Sequence, residues 1–359
     1  GDRAMRSMRT GSAWVLAAAG LVSLGVAVGV LSAGPLDPPA GPVTGTYKTL
    51  SDVEPRIAIN AINTPGDADS TFKITQPGSY YLAGNIAGVS GKHGIEVVAG
   101  NVTIDLNGFA LTGVAGALDG VLVSGSTNVA VLNGIVTNWR NGLQLDSTRN
   151  ARVEGILASG NSVDGIRLGT YAIARRCVVS NNGLNGITSF QSTLIESCVA
   201  RNNTGDGIVA GALGNVVRCE SYANNGYGIR STSSGYSLIT ECTVAENTLD
   251  GIRVASGVAV TRNVVSFNGI GANSAGIRAT GFDNRIEENS VTNNNKGIEV
   301  SASGNFIARN IVTGSGANNW LIAANNVILV VVANNAAAFN GVSGGTAPGS
   351  TDPNANFSY

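Results

Sequence analysis

The sequence predicts an all-β fold, a single-stranded right-handed parallel β-helix (a solenoid) of about ten or more coils with a short N-terminal helical cap. The composition includes 49 Gly, only 13% charged and 5% aromatic residues, and a net charge of −1. This composition is unlike that of a helical bundle or an ordinary α/β enzyme. Two further observations predict the β-helix. Gly followed by Ile, Val or Leu recurs along the chain, and like residues recur at one position of this repeat.

The repeat has a period of 21 to 26 residues. This length, with β-branched residues and Asn-Gly turns, is typical of coils that each contribute short strands to parallel sheets. The sequence lacks the patterns of leucine-rich and calcium-binding nonapeptide repeats, and its coils exceed the 18 residues of left-handed β-helices, so a right-handed helix remains. The anchor glycines are Gly94, Gly120, Gly142, Gly165, Gly186, Gly207, Gly228, Gly251, Gly276 and Gly297.

Residues 1–33 are predicted to be a signal peptide or a membrane anchor. Arg6 and Arg9 precede an uncharged apolar run from Trp14 to Val30, which is the layout of an export signal. The run is slightly long for a cleaved signal, so an uncleaved anchor stays open. We therefore expect a secreted or cell-surface protein, in contact with membrane only through this segment if it is uncleaved.

Residues 34–46 are rich in Pro and Gly and are predicted to be a spacer. Residues 47–92 are predicted to hold an N-terminal cap and the first strands. Ser51 to Glu54 match a capping box, which predicts a short helix over Val53–Ile62 that covers the open end of the rod. Residues 93–335 are predicted to form the β-helix, and residues 336–359 a flexible C-terminal tail.

One column of the repeat predicts an inward ladder. Cys177, Cys198, Cys219 and Cys242 each lie nine residues before the next anchor glycine, and Asn263, Asn289 and Asn310 continue the column. One cysteine per coil favours buried thiols over disulfides, because stacked strands give parallel Cβ directions. The Asn side chains are expected to pass amide hydrogen bonds from coil to coil.

Charged residues form two predicted outward columns. Arg and Glu alternate from Arg218 to Arg309 directly before the Cys and Asn column, which predicts a solvated ion-pair ladder. Arg230, Arg253 and Arg278 lie two residues after their anchors, followed in the next coil by Glu299. These stacked arginines, with Tyr227, are candidates for binding an acidic glycan; a purely solubilising role stays open.

The residues before the anchor glycines are the candidates for catalysis. Asp164 and Asp206 would stand two coils apart, about 9.6 Å, near the upper limit for an inverting glycosidase pair. Arg167 could orient a sugar beside them. Asp-Gly and Asn-Gly pairs are also what tight turns require, and we favour that interpretation.

Two further groups have a possible role. Lys92, His93, Glu96 and Asp105 bring acids, a base and an imidazole into the first coil, but this is a thin ligand set. We therefore predict no metal and no cofactor. Aromatic residues near turns could stack on sugars or merely cover coil edges; they are Tyr171, Phe190, Tyr222, Tyr227, Tyr236 and Phe267.

The run Asn101-Val-Thr-Ile-Asp-Leu-Asn-Gly108, followed by Phe-Ala-Leu-Thr-Gly113, resembles the opening coil of the pectate-lyase-like superfamily. Asp164-Gly-Ile-Arg-Leu168 and Asp250-Gly-Ile-Arg-Val254 resemble its right-handed β-helix repeat, over about residues 72–335. The chain also looks like the exported β-helix proteins of planctomycete-type bacteria. The resemblance implies the fold, but no catalytic set of the superfamily can be carried over, because His93 is the one histidine and no coil has long cleft-forming loops.

The sequence thus predicts an exported or cell-surface β-helix protein that binds or scaffolds carbohydrate or another extracellular polymer, without a recognisable catalytic site. The alternative is a polysaccharide-degrading enzyme, either a lyase or a glycoside hydrolase. A purely structural rod that associates through its ends is a third hypothesis. Lys and Arg are scattered singly, so no nucleic-acid partner is expected.

Overall fold

The computed structural model describes residues 54–232, 234–269, 273–333, 339–341 and 352–358. These residues form an all-β solenoid in which three parallel sheets wind around one apolar core. Each coil runs from a strand of sheet I to one of sheet II and one of sheet III, and then returns to sheet I. The predicted signal or anchor segment and the spacer lie outside the described residues.

Sheet I has thirteen strands, one from each coil. Ten of these coils carry the anchor glycines of the repeat, one precedes them and two follow. The strands are β2 (Ser70–Ile74), β5 (His93–Val97), β8 (Val121–Val123), β10 (Leu143–Arg149), β12 (Ile166–Thr170), β15 (Ile187–Ser189), β18 (Ile208–Ala210), β21 (Ile229–Ser231), β24 (Ile252–Val254), β27 (Ala275–Ala279), β30 (Lys296–Val300), β33 (Asn318–Ile322) and β36 (Phe339–Gly341).

Sheet II follows sheet I in each coil, and its pairing starts at the N-terminal edge of the rod. Its strands are β1 (Ile57–Ala58), β3 (Gly78–Tyr81), β6 (Val102–Asp105), the first half of β9 (Val129–Thr137), the first half of β11 (Arg152–Ser159), β13 (Ile173–Arg175), β16 (Leu194–Glu196), β19 (Asn215–Val217), β22 (Ser237–Thr240), β25 (Val258–Thr261), β28 (Arg285–Glu287), β31 (Phe306–Ala308) and β34 (Val327–Ile328).

Sheet III joins sheet II through the second halves of the long strands β9 and β11. Its other strands are β4 (Ile86–Ala87), β7 (Ala110–Thr112), β14 (Val178–Ser180), β17 (Val199–Arg201), β20 (Glu220–Tyr222), β23 (Thr243–Ala245), β26 (Val264–Ser266), β29 (Ser290–Thr292), β32 (Ile311–Thr313), β35 (Val331–Ala333) and β37 (Asn356–Ser358).

The residue after each anchor glycine faces the core. Strand pairing places these residues directly over one another from coil to coil, and all are buried. Burying an aliphatic side chain contributes about 1.5–3 kcal/mol, so the column holds the coils together along the axis. Its members are Ile95, Val121, Leu143, Ile166, Ile187, Ile208, Ile229, Ile252, Ile277 and Ile298. Trp320, which follows Asn319 and pairs with Ile298, continues the column.

The predicted N-terminal helix is wrong, because the described residues contain no helix and Ile57–Ala58 is a strand. The backbone of β1 pairs with Tyr80 and Tyr81 of β3, an edge that offers free hydrogen-bonding groups. A helix this short gains little in isolation. The Glu54 carboxylate bonds Arg56 (Nε–Oε1, 2.8 Å) instead of capping a helix.

The open edge of sheet I is covered as expected, but by a turn segment. Pro65 bridges Phe72 of β2, and the Thr64 carbonyl accepts a hydrogen bond from Lys73 N at 3.3 Å. Proline has no N–H to offer a further strand, so it protects an exposed edge. No helix in the described part of the chain is long and apolar enough to cross a membrane.

The Cys and Asn column is confirmed as an inward ladder. The four cysteines are free and buried, and Cys198 N donates to Cys219 Sγ at 3.5 Å. Asn263 takes over where the cysteines end, since its Oδ1 accepts from Cys242 N at 2.9 Å. Hydrogen bonding with Cys198, followed by burial, raises the pKa of Cys177 well above its ordinary value.

The alternating outward ladder is also present. Arg262 lies between Glu241 (3.3 Å) and Glu288 (3.8 Å), and Arg309 bonds Glu288 at 3.0 Å. These side chains are substantially exposed, so each pair contributes only about 0–1 kcal/mol.

Strands also occur within residues 336–359, the segment predicted to be a flexible tail. Asn356–Ser358 pairs with both β32 and β35 and so lies between them in sheet III. Asn356 is buried, and its Oδ1 accepts a hydrogen bond from Asn310 N at 3.0 Å. The Asn ladder therefore extends into the C-terminal segment.

Candidate functional site

The outward row of sheet I is a line of side chains that stack from coil to coil along the rod. Strand pairing sets the central residue of each sheet I strand directly beside its counterpart in the next coil. At about 4.8 Å per coil, the row can contact an extended ligand along the rod. It consists of Lys73, Glu96, Leu122, Gln144, Arg167, Thr188, Val209, Arg230, Arg253, Arg278, Glu299 and Leu321.

Arg230 and Arg253 form an arginine–tyrosine patch with Tyr227. Their guanidinium carbons lie 5.6 and 5.1 Å from the centre of the Tyr227 ring, within cation–π range. Arg230 donates to Asp206 through Nε at 2.6 Å. Arg253 donates to Asp250 through Nη1 at 3.2 Å.

The two arginines keep donors that no acceptor among the described residues uses. Their side chains are 36% and 33% exposed. Within the described residues, neither terminal nitrogen of Arg230 has a protein acceptor, and the same holds for Nη2 of Arg253. Guanidinium groups pair with carboxylates through such parallel donors. The patch can therefore bind an anionic group.

Arg278 differs from the other two arginines of its column. Its side chain is 14% exposed, and it contacts Asp250 (Nε–Oδ1, 3.1 Å), Glu299 (3.0 Å) and the Asn273 carbonyl. Two carboxylates and a carbonyl already contact the Arg278 guanidinium. It therefore holds neighbouring side chains in place rather than binding a ligand. The sequence predicted three equivalent arginines. In the structure, Arg230 and Arg253 keep donors for a ligand, whereas Arg278 is already paired with protein groups.

The catalytic candidates of the sequence hold the turns between coils. Asp164 is fully buried and accepts from Arg167 Nη1 (2.8 Å), Asn185 N (2.9 Å) and Thr188 Oγ1 (3.0 Å). Asp206 accepts from Tyr227 N at 2.9 Å as well as from Arg230. These contacts are those of a turn ladder.

The same ladder runs through neighbouring coils. The side-chain oxygen of each Asp or Asn before an anchor glycine accepts the backbone N–H at the same position one coil further on. The donors are the backbone N–H groups of Asn141 (to Asp119), Asp164 (to Asn141), Asn185 (to Asp164), Asp206 (to Asn185), Tyr227 (to Asp206) and Ala275 (to Asp250).

Two carboxyls of this ladder differ in their pKa. Burial alone would raise the pKa of Asp119, but contact with the His93 imidazole and hydrogen bonds from Arg140 and Asn141 hold it well below its ordinary value. For Asp250, burial outweighs the hydrogen bond from Ala275 and the nearby arginines, so its pKa is raised. Asp250, which lies beside the arginine–tyrosine patch, is thus a ladder carboxyl whose pKa is shifted upward by burial.

The first-coil cluster expected from the sequence does not form one site. Glu96 pairs with Lys73 at 2.8 Å, Asp105 with Arg56 at 3.1 Å, and His93 lies against Asp119, whose backbone N–H donates to His93 Nδ1 at 3.1 Å. His93 and Glu96 point to opposite faces of β5, and Asp105 lies on β6 in sheet II.

A cluster of three carboxylates, which the sequence did not predict, lies at the N-terminal end of the rod. Asp67, Asp69 and Glu96 bring oxygens within 4.8 Å of one another. The Lys73 ammonium already lies 2.7 Å from Asp67 and 2.8 Å from Glu96, so an intrinsic cation occupies the charge centre of the group. The sequence carried no signal for it, since Asp67 and Glu96 belong to different coils.

The turn aromatics divide among different edges of the rod. The guanidinium carbon of Arg149 lies 5.0 Å from the centre of the Tyr171 ring. The hydroxyl oxygen of Tyr222 lies 3.0 Å from Arg201 Nη1. Tyr236 is 87% exposed. The sequence analysis missed Phe282, an exposed aromatic residue in the same turn as Tyr236 two coils further on.

These features define the class of the protein: a parallel β-helix with an outward row of mostly polar side chains along sheet I. The chain belongs to the family described as "right handed beta helix region", whose model matches residues 81–217 and 190–341. The family resemblance predicted from the sequence is thereby confirmed. None of the curated proteins matches the sequence.

Solved structures share this fold at low sequence identity. The A-module of mannuronan C-5 epimerase AlgE4 from Azotobacter vinelandii is 17% identical over 69% of this chain and 84% of its own, with a TM-score of 0.56. The AlgE6 A-module of the same organism is 15% identical over 85% and 88%, with a TM-score of 0.59. The Dettilon tailspike protein is 15% identical over 72% and 58%, with a TM-score of 0.53.

Proposed function

We propose that this protein acts on polysaccharides and binds an acidic polysaccharide along the outward row of sheet I. The observation that carries the proposal is the arginine–tyrosine patch of Arg230, Arg253 and Tyr227, whose free guanidinium nitrogens face solvent on a continuous face. We also propose an exported or cell-surface location, on the strength of the N-terminal apolar segment.

An acidic sugar polymer suits this patch for two reasons. A uronate carboxylate can accept parallel hydrogen bonds from a guanidinium group, and a polymer can follow the row past several coils. Asp206 pairs with Arg230, and Asp250 pairs with Arg253 as well as with Arg278. Directional hydrogen bonds therefore contribute more to binding than net charge. The fold supports the same class of ligand, since the two Azotobacter proteins are by name epimerases of mannuronan, a polyuronate.

The second candidate is an enzyme that modifies or cleaves the polysaccharide. It is favoured by Asp250, a buried carboxyl with a raised pKa that touches Arg253 and Arg278. A raised pKa favours the protonated form, which is the form that a general acid needs. The likeness to two epimerase folds supports this candidate as well.

The binding proposal is tested by titrating the full chain with polymannuronate and polygalacturonate in an isothermal calorimeter, with dextran as neutral control. Replacing both Arg230 and Arg253 with Ala should weaken binding at least about tenfold, which corresponds to about 1.4 kcal/mol. High salt should weaken binding by the wild type.

Arg262→Ala is the matched control, because Arg262 is an exposed, ion-paired arginine on a different edge of the rod. It should bind like the wild type. Thermal unfolding of each variant separates lost binding from lost folding. Unchanged affinity in a folded double variant would reject the proposed patch.

Catalysis is tested on the same polymers by following unsaturated ends, reducing ends and, by proton NMR, epimerised residues. Asp250→Asn should reduce any turnover about a hundredfold or more while leaving binding in place, because general acid catalysis contributes a factor of about 10²–10⁴. The exposed Glu246→Gln should leave turnover unchanged. Turnover that survives in Asp250→Asn would exclude Asp250 as the acid.

A further inference from the structure

Large apolar side chains are exposed along the turn between sheets I and II in five of six consecutive coils. Tyr236 and Phe282 are the most exposed, at 87% and 59%. In the coil between them, Gly257 is in register with Tyr236, because Ser237 pairs with Val258, and its backbone N–H donates to the Phe282 carbonyl at 3.0 Å. The other exposed apolar residues of this turn are Tyr171, Phe190 and Leu213.

Because Gly257 has no side chain, a slot lies between the two aromatic residues. Gly257 has a φ of +73°, which disfavours any side chain there and keeps the floor bare. Tyr236 and Phe282 stand two coils apart, about 9.6 Å at the strand spacing. The depression measures about 260 Å³, below the range of about 300–1,000 Å³ for drug-sized ligands, so it admits one small ring.

Hydrogen-bonding groups lie at the rim of this slot. The Asp283 side chain is exposed, and no donor from the described residues reaches its carboxylate. Ser234 is also exposed at the rim, whereas Ser256 is buried and its Oγ already accepts from Phe282 N at 3.2 Å. The slot thus combines aromatic walls with a free carboxylate acceptor.

From this geometry we infer that the slot between Tyr236 and Phe282 binds one ring of a neutral saccharide. The carbon faces of a pyranose pack on aromatic rings, and its hydroxyl groups donate to a carboxylate in strong hydrogen bonds. Asp283 repels an anionic sugar, so this ligand differs from the acidic polymer proposed for the arginine–tyrosine patch. The inference depends on neither that patch nor catalysis.

The test is calorimetric titration of the full chain with cello-, laminari-, manno- and chitohexaose. At least one should bind, and Tyr236→Ala and Phe282→Ala should each weaken that binding tenfold or more. Asp283→Asn should weaken it severalfold, since Asn tolerates the positive φ of 58° there but lacks the charge. Binding should be insensitive to salt.

Phe267→Ala is the matched control, because Phe267 is a comparably exposed aromatic residue on the turn between sheets III and I. It should bind like the wild type. The inference is overturned if none of the four sugars binds, or if both slot variants, folded by circular dichroism, bind unchanged. Binding of polymannuronate that is lost on replacing Arg230 and Arg253 tests the other proposal separately.

Discussion

At the scale of single residues, buried carboxylates survive in this rod because the backbone of the next coil supplies donors. Asp119 accepts from Asn141 N at 3.1 Å and from Arg140 through Nε (3.0 Å) and Nη2 (2.6 Å). These bonds favour its charged form, so its pKa lies below the unfolded value of about 3.9. Ionised Asp119 therefore stabilises the fold above that value.

Asp119→Asn should lower the free energy of unfolding near neutral pH by about 2 kcal/mol, because hydrogen bonds to a charged group are lost. The deficit should shrink as the pH falls below about 4, since the wild type loses its stabilisation as the folded-state carboxyl protonates. Urea denaturation across this pH range measures it. Asp250, whose raised pKa acts in the opposite direction, is present in both proteins and cancels in the difference.

Asp283→Asn is the control, because Asp283 is exposed and no donor in the described residues holds it. Its stability should follow the wild type at every pH. A deficit in Asp119→Asn that stays constant down to the lowest pH would contradict the role given to its charge.

At the scale of the element, the anchor glycines are required by close packing. An added Cβ at Gly228 would meet Asn247 Nδ2 and the Gly251 carbonyl, each at 2.6 Å, as well as the side chain of Val244. The backbone of the next anchor and the side chains of Val244 and Asn247 therefore all contact this position. The repeated glycine thus stands where neighbouring backbone and side chains leave no room for a Cβ atom.

Gly228→Ala should destabilise the protein by about 1–3 kcal/mol, the usual cost of overpacking a core. The measurement is the urea midpoint. Gly84→Ala is the control, since an added Cβ there meets nothing within 4 Å, and it should be neutral or slightly stabilising. Equal midpoints for the two variants would show that the anchors are not limited by space.

At the scale of the whole molecule, the C-terminal segment completes sheet III by reaching back past an intervening coil. β37 lies between β32 and β35, and the two ladder residues Asn310 and Asn356 are 46 positions apart, about twice the repeat. Asn356 also donates to the Leu329 carbonyl at 3.0 Å. This residue therefore connects three strands at one end of the rod.

Asn356→Ala should lower the stability of the protein by about 2–4 kcal/mol, because it leaves buried donors of Asn310 and the Leu329 carbonyl without partners. Thermal unfolding measures the loss. Phe357→Ala, in the same strand but with an exposed side chain, should have a small effect. A larger loss in Phe357→Ala than in Asn356→Ala would contradict the ladder.

The sequence by itself determined the repeat, the inward columns and the Cys and Asn ladder. Each coil places the same position over its neighbour at strand spacing, so a pattern in the chain is directly a contact in space. Position in the repeat predicted that Cys198 meets Cys219 and that Arg262 lies beside Glu241. It failed for Val53–Ile62, where an open sheet edge favoured strand pairing over a helix.

Only the tertiary structure decided which outward side chains are open. Arg230, Arg253 and Arg278 are equivalent in the repeat, yet only Arg278 is closed by Asp250 and Glu299 together. The slot at Gly257 likewise depends on Phe282, which the glycine repeat does not align with Tyr236. Inward residues are constrained by every coil, but an outward side chain depends on its particular neighbours and on where coils of unequal length place them.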